Sequence, residues 1–167
     1  AQAAELSAQA ALQQELQGQV EGARAQAAEA EARLAEKVKL EGEAQSARER
    51  QVELKGENDR LKQEMNALKE RIAQLSVAHG AACPLCGQPL SEQHRIDTLA
   101  GLEADGKARG DTHRANRAAL DSLTGEINAM QARIQELSPA EAERLAASGR
   151  VMQLSERLET LQTRSRE

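Results

Sequence analysis

"AHGAACPLCGQPLSEQHR", residues 78–95, interrupts a chain that otherwise reads as helix. It holds both cysteines and two of the three prolines, close to the middle of 167 residues. Gly80, Pro84, Gly87 and Pro89 fall within ten positions. Proline removes an amide donor and clashes with the preceding turn, so no helix runs straight through. Gly80 supplies a stop for the arm before it, and Ser91 followed by Glu92 a start for the arm after it. Residues 1–79 and 91–167 are then two arms of nearly equal length around a loop at 80–90. An unbroken helix as long as either arm would reach about 115 Å at 1.5 Å per residue.

Both arms carry a narrow apolar seam. Leu54, Leu61, Leu68 and Leu75 recur every seven residues, with Met65 and Ile72 between them. Towards the N-terminus the seam weakens through Gln51, Ala47, Ala44, Leu40 and Lys37, then resumes as Leu34, Ala30, Ala27, Ala23, Val20 and Leu16. Passing from Leu34 through Lys37 to Leu40 takes two steps of three, a register break of the stammer type. The second arm steps three and four through Leu99, Leu102, Gly106, Arg109, His113, Asn116, Leu120, Leu123, Ile127, Met130, Ile134 and Leu137. There "SPAE" intervenes. Ser138 offers a cap, Pro139 suits a first helical position and Glu141 can close a capping box. A further helix follows, carried by Val151, Leu154, Leu158 and Leu161.

Folding the arms back around residue 85 sets Ile72 near Leu99 and Leu68 near Leu102. It also brings the stammer between Leu34 and Lys37 within about a turn of Ser138 and Pro139, by the symmetry of a hairpin. Two defects aligned at one height favour the hairpin and mark a joint. The competing architectures are a parallel dimer and a bundle, and a bundle needs wider apolar stripes than a two-position seam. The fold expected is therefore all-α, a long antiparallel intramolecular coiled-coil hairpin with a short CxxC loop at its apex.

Composition agrees. The chain has no Phe, Trp or Tyr, the residues that bury the most area in a compact core. Its 22 basic and 27 acidic side chains are interleaved, which suits a solvated helix surface and not a phosphate-tracking face. Nothing is apolar for long enough to span a bilayer, and the N-terminus lacks the order of a signal peptide. Helical pattern runs to both ends without outer caps, so the chain is expected to be a piece of something longer.

Cys83 and Cys86 stand two residues apart, a spacing that lets both sulfurs grip one ion from a tight turn. Pro84 fixes the backbone between them, Gly87 lets it pass closely behind, and amides of such a turn can face the thiolates. Two ligands do not close a tetrahedral site. His79 and His94 flank the loop and could complete it within one chain, although they lie at the ends of opposite arms. A second copy could instead bring its own pair, and a hairpin tip is where two rods meet end to end. A thioredoxin-type disulfide lacks the strand–helix setting it needs.

"CPLCGQPL" at such an apex resembles the zinc hook of the SbcC family, long SMC-like ATPases that work with the SbcD nuclease in DNA double-strand-break repair. Cys83, Pro84, Leu85, Cys86 and Leu90 carry that resemblance, and the arms share only periodicity with the family. It implies that Cys83 and Cys86 are metal ligands forming half a site, and that two chains share one Zn2+ as a homodimer. It further implies a cytoplasmic, nucleoid-associated protein whose ATPase heads lie outside this sequence, so that nuclease and DNA are met only through those heads. The fragment itself would then be a tether and not an enzyme. The alternative is a coiled-coil interaction module whose CPLC pair forms a cis Cys/His zinc cap or a redox disulfide.

One further motif invites a misreading. "GLEADGKA", residues 101–108, has the glycine and lysine spacing of a phosphate-binding loop, but Ala108 stands where a hydroxyl is needed and no strand precedes it. Gly101, Gly106 and Gly110 more simply soften the helix, at about 1 kcal/mol each relative to alanine. No catalytic trio is present, and a two-helix rod offers no pocket for one.

Overall fold

The computed structural model describes residues 2–80 and 82–164. They form three helices: α1 (Gln2–Ser76), α2 (Glu92–Glu136) and α3 (Ala140–Arg164). Among the described residues the only β-type pairing is an isolated antiparallel bridge between Ala82 and Pro89. The expected class, all-α with helices returning antiparallel around the CxxC pair, is what the chain adopts. It divides into two compact units, residues 44–128 and residues 1–43 with 129–167.

In the unit at 44–128, α1 and α2 pack antiparallel on the seam read from the sequence. Leu54, Leu61, Leu68 and Leu75 are buried on α1, and Leu102 and Ile127 on α2. Of the seam positions between them, Asn58 is buried and the rest are half-buried, while Val52, Val77 and Ile96, off the seam, are exposed. Periodicity therefore outweighs hydrophobicity in deciding which side chains are covered, as a two-position seam requires. Arg109 Nε donates to Glu64 Oε2 at 2.8 Å, and Gln51 Nε2 donates to Thr124 Oγ1 at 2.9 Å. These partners sit three to five positions beyond simple symmetry about residue 85. The cause is the lean of helical side chains towards their own N-terminus, which in antiparallel helices displaces the two partners in opposite axial directions.

Two asparagines occupy this seam. Asn58 is buried and Asn116 half-buried, and neither Asn58 Oδ1 nor Asn116 Nδ2 has a hydrogen-bond partner. An unsatisfied buried polar atom costs about 1–3 kcal/mol, while polar seam residues disfavour competing registers. The double variant Asn58→Leu/Asn116→Leu is expected to melt at higher temperature by circular dichroism. It is also expected to populate more than one species in light scattering. A lower melting temperature would contradict this account.

In the unit at 1–43 and 129–167, α1 packs against the end of α2 and against α3. Leu16, Val20, Ala23 and Ala30 are buried on one side, Leu137, Ala140 and Ala147 on the other. Two features differ from the sequence reading. The stammer at Leu34, Lys37 and Leu40 does not interrupt α1, which is continuous across it. The descending side carries a matching one, since half-buried Ile134, buried Leu137 and buried Ala140 also step by three. Here the helix is interrupted. Ser138 N donates to Gln135 O and Ala140 N to Leu137 O, both at 3.1 Å across three residues. Such bonds wind the chain at about three residues per turn, which keeps positions three apart on one face. Pro139, having no amide hydrogen, cannot continue the α-helical ladder, and its carbonyl instead accepts from Glu143 N at 3.0 Å to open α3. Arg133 Nε donates to Glu36 Oε1 at 2.8 Å beside this point, which holds the Glu36 carboxyl below its ordinary pKa.

Candidate metal centre

The loop between α1 and α2 is built by its own backbone. α1 ends at Ser76, whose hydroxyl donates to Ile72 O at 2.7 Å, and Ala78 N closes the last turn on Leu75 O. The end therefore comes four residues before Gly80, whose φ is not positive. Cys83 N then donates to Gln88 O at 2.7 Å, and Gly87 N donates back to Cys83 O at 2.9 Å. Gly87 adopts φ +75°, the left-handed region that glycine enters without a Cβ penalty, and this brings the chain tightly around the second cysteine. Ser91 caps α2 by accepting from His94 N at 3.1 Å, and Glu92 places an anionic side chain in the first turn.

This turn holds Cys83 inward. Its side chain is only 3% exposed and belongs to the apex cluster of Leu68, Leu75 and Leu102, with Ile72, Leu85, Leu90 and Leu99 packed around it. Cys86 is exposed, and both cysteines are free thiols. The backbone amide of Leu85 bonds the Cys83 sulfur and lowers its pKa to about 7, against the opposing effect of burial. The Cys86 amide and the His94 ring assist. The amides expected to face the thiolates do so at Cys83.

Three donors converge. Cys83 Sγ, Cys86 Sγ and a His94 ring nitrogen lie within 4.8 Å of one another, and Cys86 Sγ is 3.5 Å from His94 Nε2. A tetrahedral ion with bonds of about 2.3 Å to sulfur and 2.0–2.1 Å to nitrogen separates such ligands by roughly 3.6 Å. The donor set and its spacing fit zinc. Of the two flanking histidines the structure brings only His94 to the sulfurs; His79 is exposed on the loop after α1. His94 is the third residue of α2, and its side chain leans back towards the loop. A cap at Ser91 three residues before a histidine is the sequence signal that distinguishes the two. His113 lies half-buried on the α2 seam, and "GLEADGKA" lies wholly within α2, so the apparent phosphate loop is ordinary helix.

Residues 61–101 match the Rad50 zinc hook motif. The match spans the last turns of α1, the loop and the first turns of α2. It agrees with the resemblance carried by Cys83-Pro84-Leu85-Cys86 and Leu90: these residues lie inside the matched segment, and the apex is similar to a zinc hook. A zinc hook is a structural module rather than a catalytic one. No curated protein and no solved structure matches the chain. Among the described residues no helix is long and apolar enough to cross a membrane.

Proposed function

We propose that this chain is a zinc-dependent tether, with Cys83 and Cys86 serving as half of a metal site that two copies complete. The observation that carries the reading is the pairing of an inward, acidified Cys83 with an exposed Cys86 on one tight turn, within the segment that matches the hook motif. A structural zinc site with four sulfurs is closed and stable, whereas two sulfurs leave it open. One zinc shared by two apices satisfies both halves and makes metal binding and association a single event. Apparent metal affinity then rises with chain concentration.

In the longer protein that the hook implies, two such apices would join two SMC-like ATPases acting in double-strand-break repair. Their heads would meet DNA and an SbcD-type nuclease in the cytoplasm, at the nucleoid. Within this chain, Cys83 and Cys86 bind the ion, the Leu85 and Cys86 amides disperse thiolate charge, and the apex cluster fixes the turn on the arms. The bound zinc supplies cross-linking and no chemistry beyond it.

Light-scattering mass measured alongside zinc content tests the reading. Concentration must be taken from refractive index, because a chain without Trp or Tyr scarcely absorbs near 280 nm. The expected result is a dimer holding half a zinc per chain that becomes monomeric under a strong chelator. A monomer holding one zinc per chain at every concentration would overturn the shared site.

A further inference from the structure

A tetrahedral ion has four places, and one chain already presents three donors. Cys83 and Cys86 take two, and His94 Nε2 stands at a ligand-like 3.5 Å from the Cys86 sulfur. The His94 backbone is held at both groups: its amide donates to Ser91 Oγ at 3.1 Å and its carbonyl accepts from Thr98 Oγ1 at 2.7 Å. His94 is half-buried, and its ring nitrogen lies within 4.8 Å of both sulfurs. Two incoming sulfurs need two places, and only one is open.

We infer that His94 is a third, intramolecular ligand, which holds a soft divalent ion on a single chain and is displaced when a second chain joins. The inference rests on the zinc-hook reading and deepens it by giving the hook a loading state. In that state Cys83, Cys86 and His94 bind the ion with the fourth place open to water. Joining two loaded apices makes one four-sulfur site, frees two imidazoles and the water of the retained ion, and releases the other ion with its own water. Joining a loaded apex to an empty one releases no ion: the two incoming cysteines bind as thiolates, giving up any thiol protons to solvent, and displace the loaded chain's imidazole and the water. His94 therefore stabilises the single loaded chain and competes with association. Excess metal loads both chains and opposes pairing, while limiting metal favours it.

Cobalt(II) reports this directly, because its visible and near-ultraviolet absorption counts thiolate ligands and the chain has no aromatic side chains to obscure it. The intact chain, His94→Ala and His79→Ala are titrated with cobalt against a chromophoric chelator, at dilute and concentrated chain, with helicity and mass followed in parallel. At dilution the intact chain is expected to bind one ion per chain with the absorption of two thiolates. On concentration the ratio should fall to one ion per two chains and the thiolate absorption per ion should double. His94→Ala is expected to bind the ion at least roughly tenfold more weakly at dilution, the scale that even a ligand's supporting partner carries. It should also dimerise at a lower chain concentration. His79→Ala should follow the intact chain.

Equal dilute-state affinity and spectra for the intact chain and His94→Ala, with a half-ion dimer in both, would overturn the third ligand and leave the hook standing. Loss of the ion in His94→Ala, with the intact chain monomeric throughout, would retain the third ligand and overturn the hook. An equal loss in His79→Ala would overturn the assignment to His94.

Discussion

Cys83→Ser and Cys86→Ser are each expected to abolish zinc-dependent pairing, and they should differ in what else they do. Structural zinc in small sites contributes about 10–16 kcal/mol, or about 2.5–4 kcal/mol per ligand when spread over four. A homodimer of either variant loses two sulfurs from a shared site, roughly 5–8 kcal/mol on that basis. At 1.4 kcal/mol per factor of ten, association weakens by about four to six orders of magnitude. Light scattering in zinc-containing buffer should then report monomer for both variants at concentrations where the intact chain is dimeric.

The metal-free chains should separate the two cysteines. Cys83 is 3% exposed among Leu68, Leu75 and Leu102, so a serine there buries a hydroxyl in an apolar cluster at about 1–3 kcal/mol. Cys86 is exposed, and serine in its place touches no such cluster. Under chelation, amide exchange across the apex should therefore be faster in Cys83→Ser and unchanged in Cys86→Ser. A Cys86→Ser chain that still pairs with zinc would move the junction away from the hook.

The seam was legible because coiled-coil burial follows spacing and little else. Positions such as Arg109, His113 and Asn116 are half-buried on α2 although their chemistry gives no hint of it, while Val52 and Val77 are exposed although theirs does. The apex was legible because Pro84 and Gly87 leave few backbone paths around two cysteines, and Gly87 does take the left-handed conformation. The descending stammer was hidden, since its buried residues past Leu137 are Ala140 and Ala147, which apolar pattern barely registers. The choice between His79 and His94 depends on a helix start at Ser91 and on the lean of side chains in α2, and spacing around the cysteines carries neither. The three-to-five-residue offset of cross-arm partners likewise follows from side-chain direction, which symmetry about the loop ignores.

Leu75→Ala should show how far the metal turn depends on the arms beneath it. Leu75 is fully buried at the end of α1 and shares the apex cluster with Cys83, so its side chain joins rod and hook. Truncating a buried leucine to alanine costs about 2–5 kcal/mol, through lost transfer energy and the cavity left behind. A two-helix rod opens locally, so the cost should appear near residue 75 and not along the whole chain. Amide exchange around 72–102 is expected to accelerate between about thirty-fold and a few thousand-fold, the factors that 2–5 kcal/mol correspond to. Exchange in the unit at 1–43 and 129–167 should be unchanged.

Val77→Ala is the matched comparison, two residues away but 70% exposed, where a substitution is expected to stay within about 0.5 kcal/mol. Zinc should recover part of the loss in Leu75→Ala, because an ion bound to Cys83 and Cys86 ties the loop together independently of the leucine. Equal exchange in the two variants would mean that the turn stands without the cluster, held by the Cys83–Gln88 and Gly87–Cys83 backbone bonds alone. A difference of the expected size would mean that the apex binds metal from a platform that α1 and α2 build together, which explains why the hook sits on a hairpin and not on a single helix end.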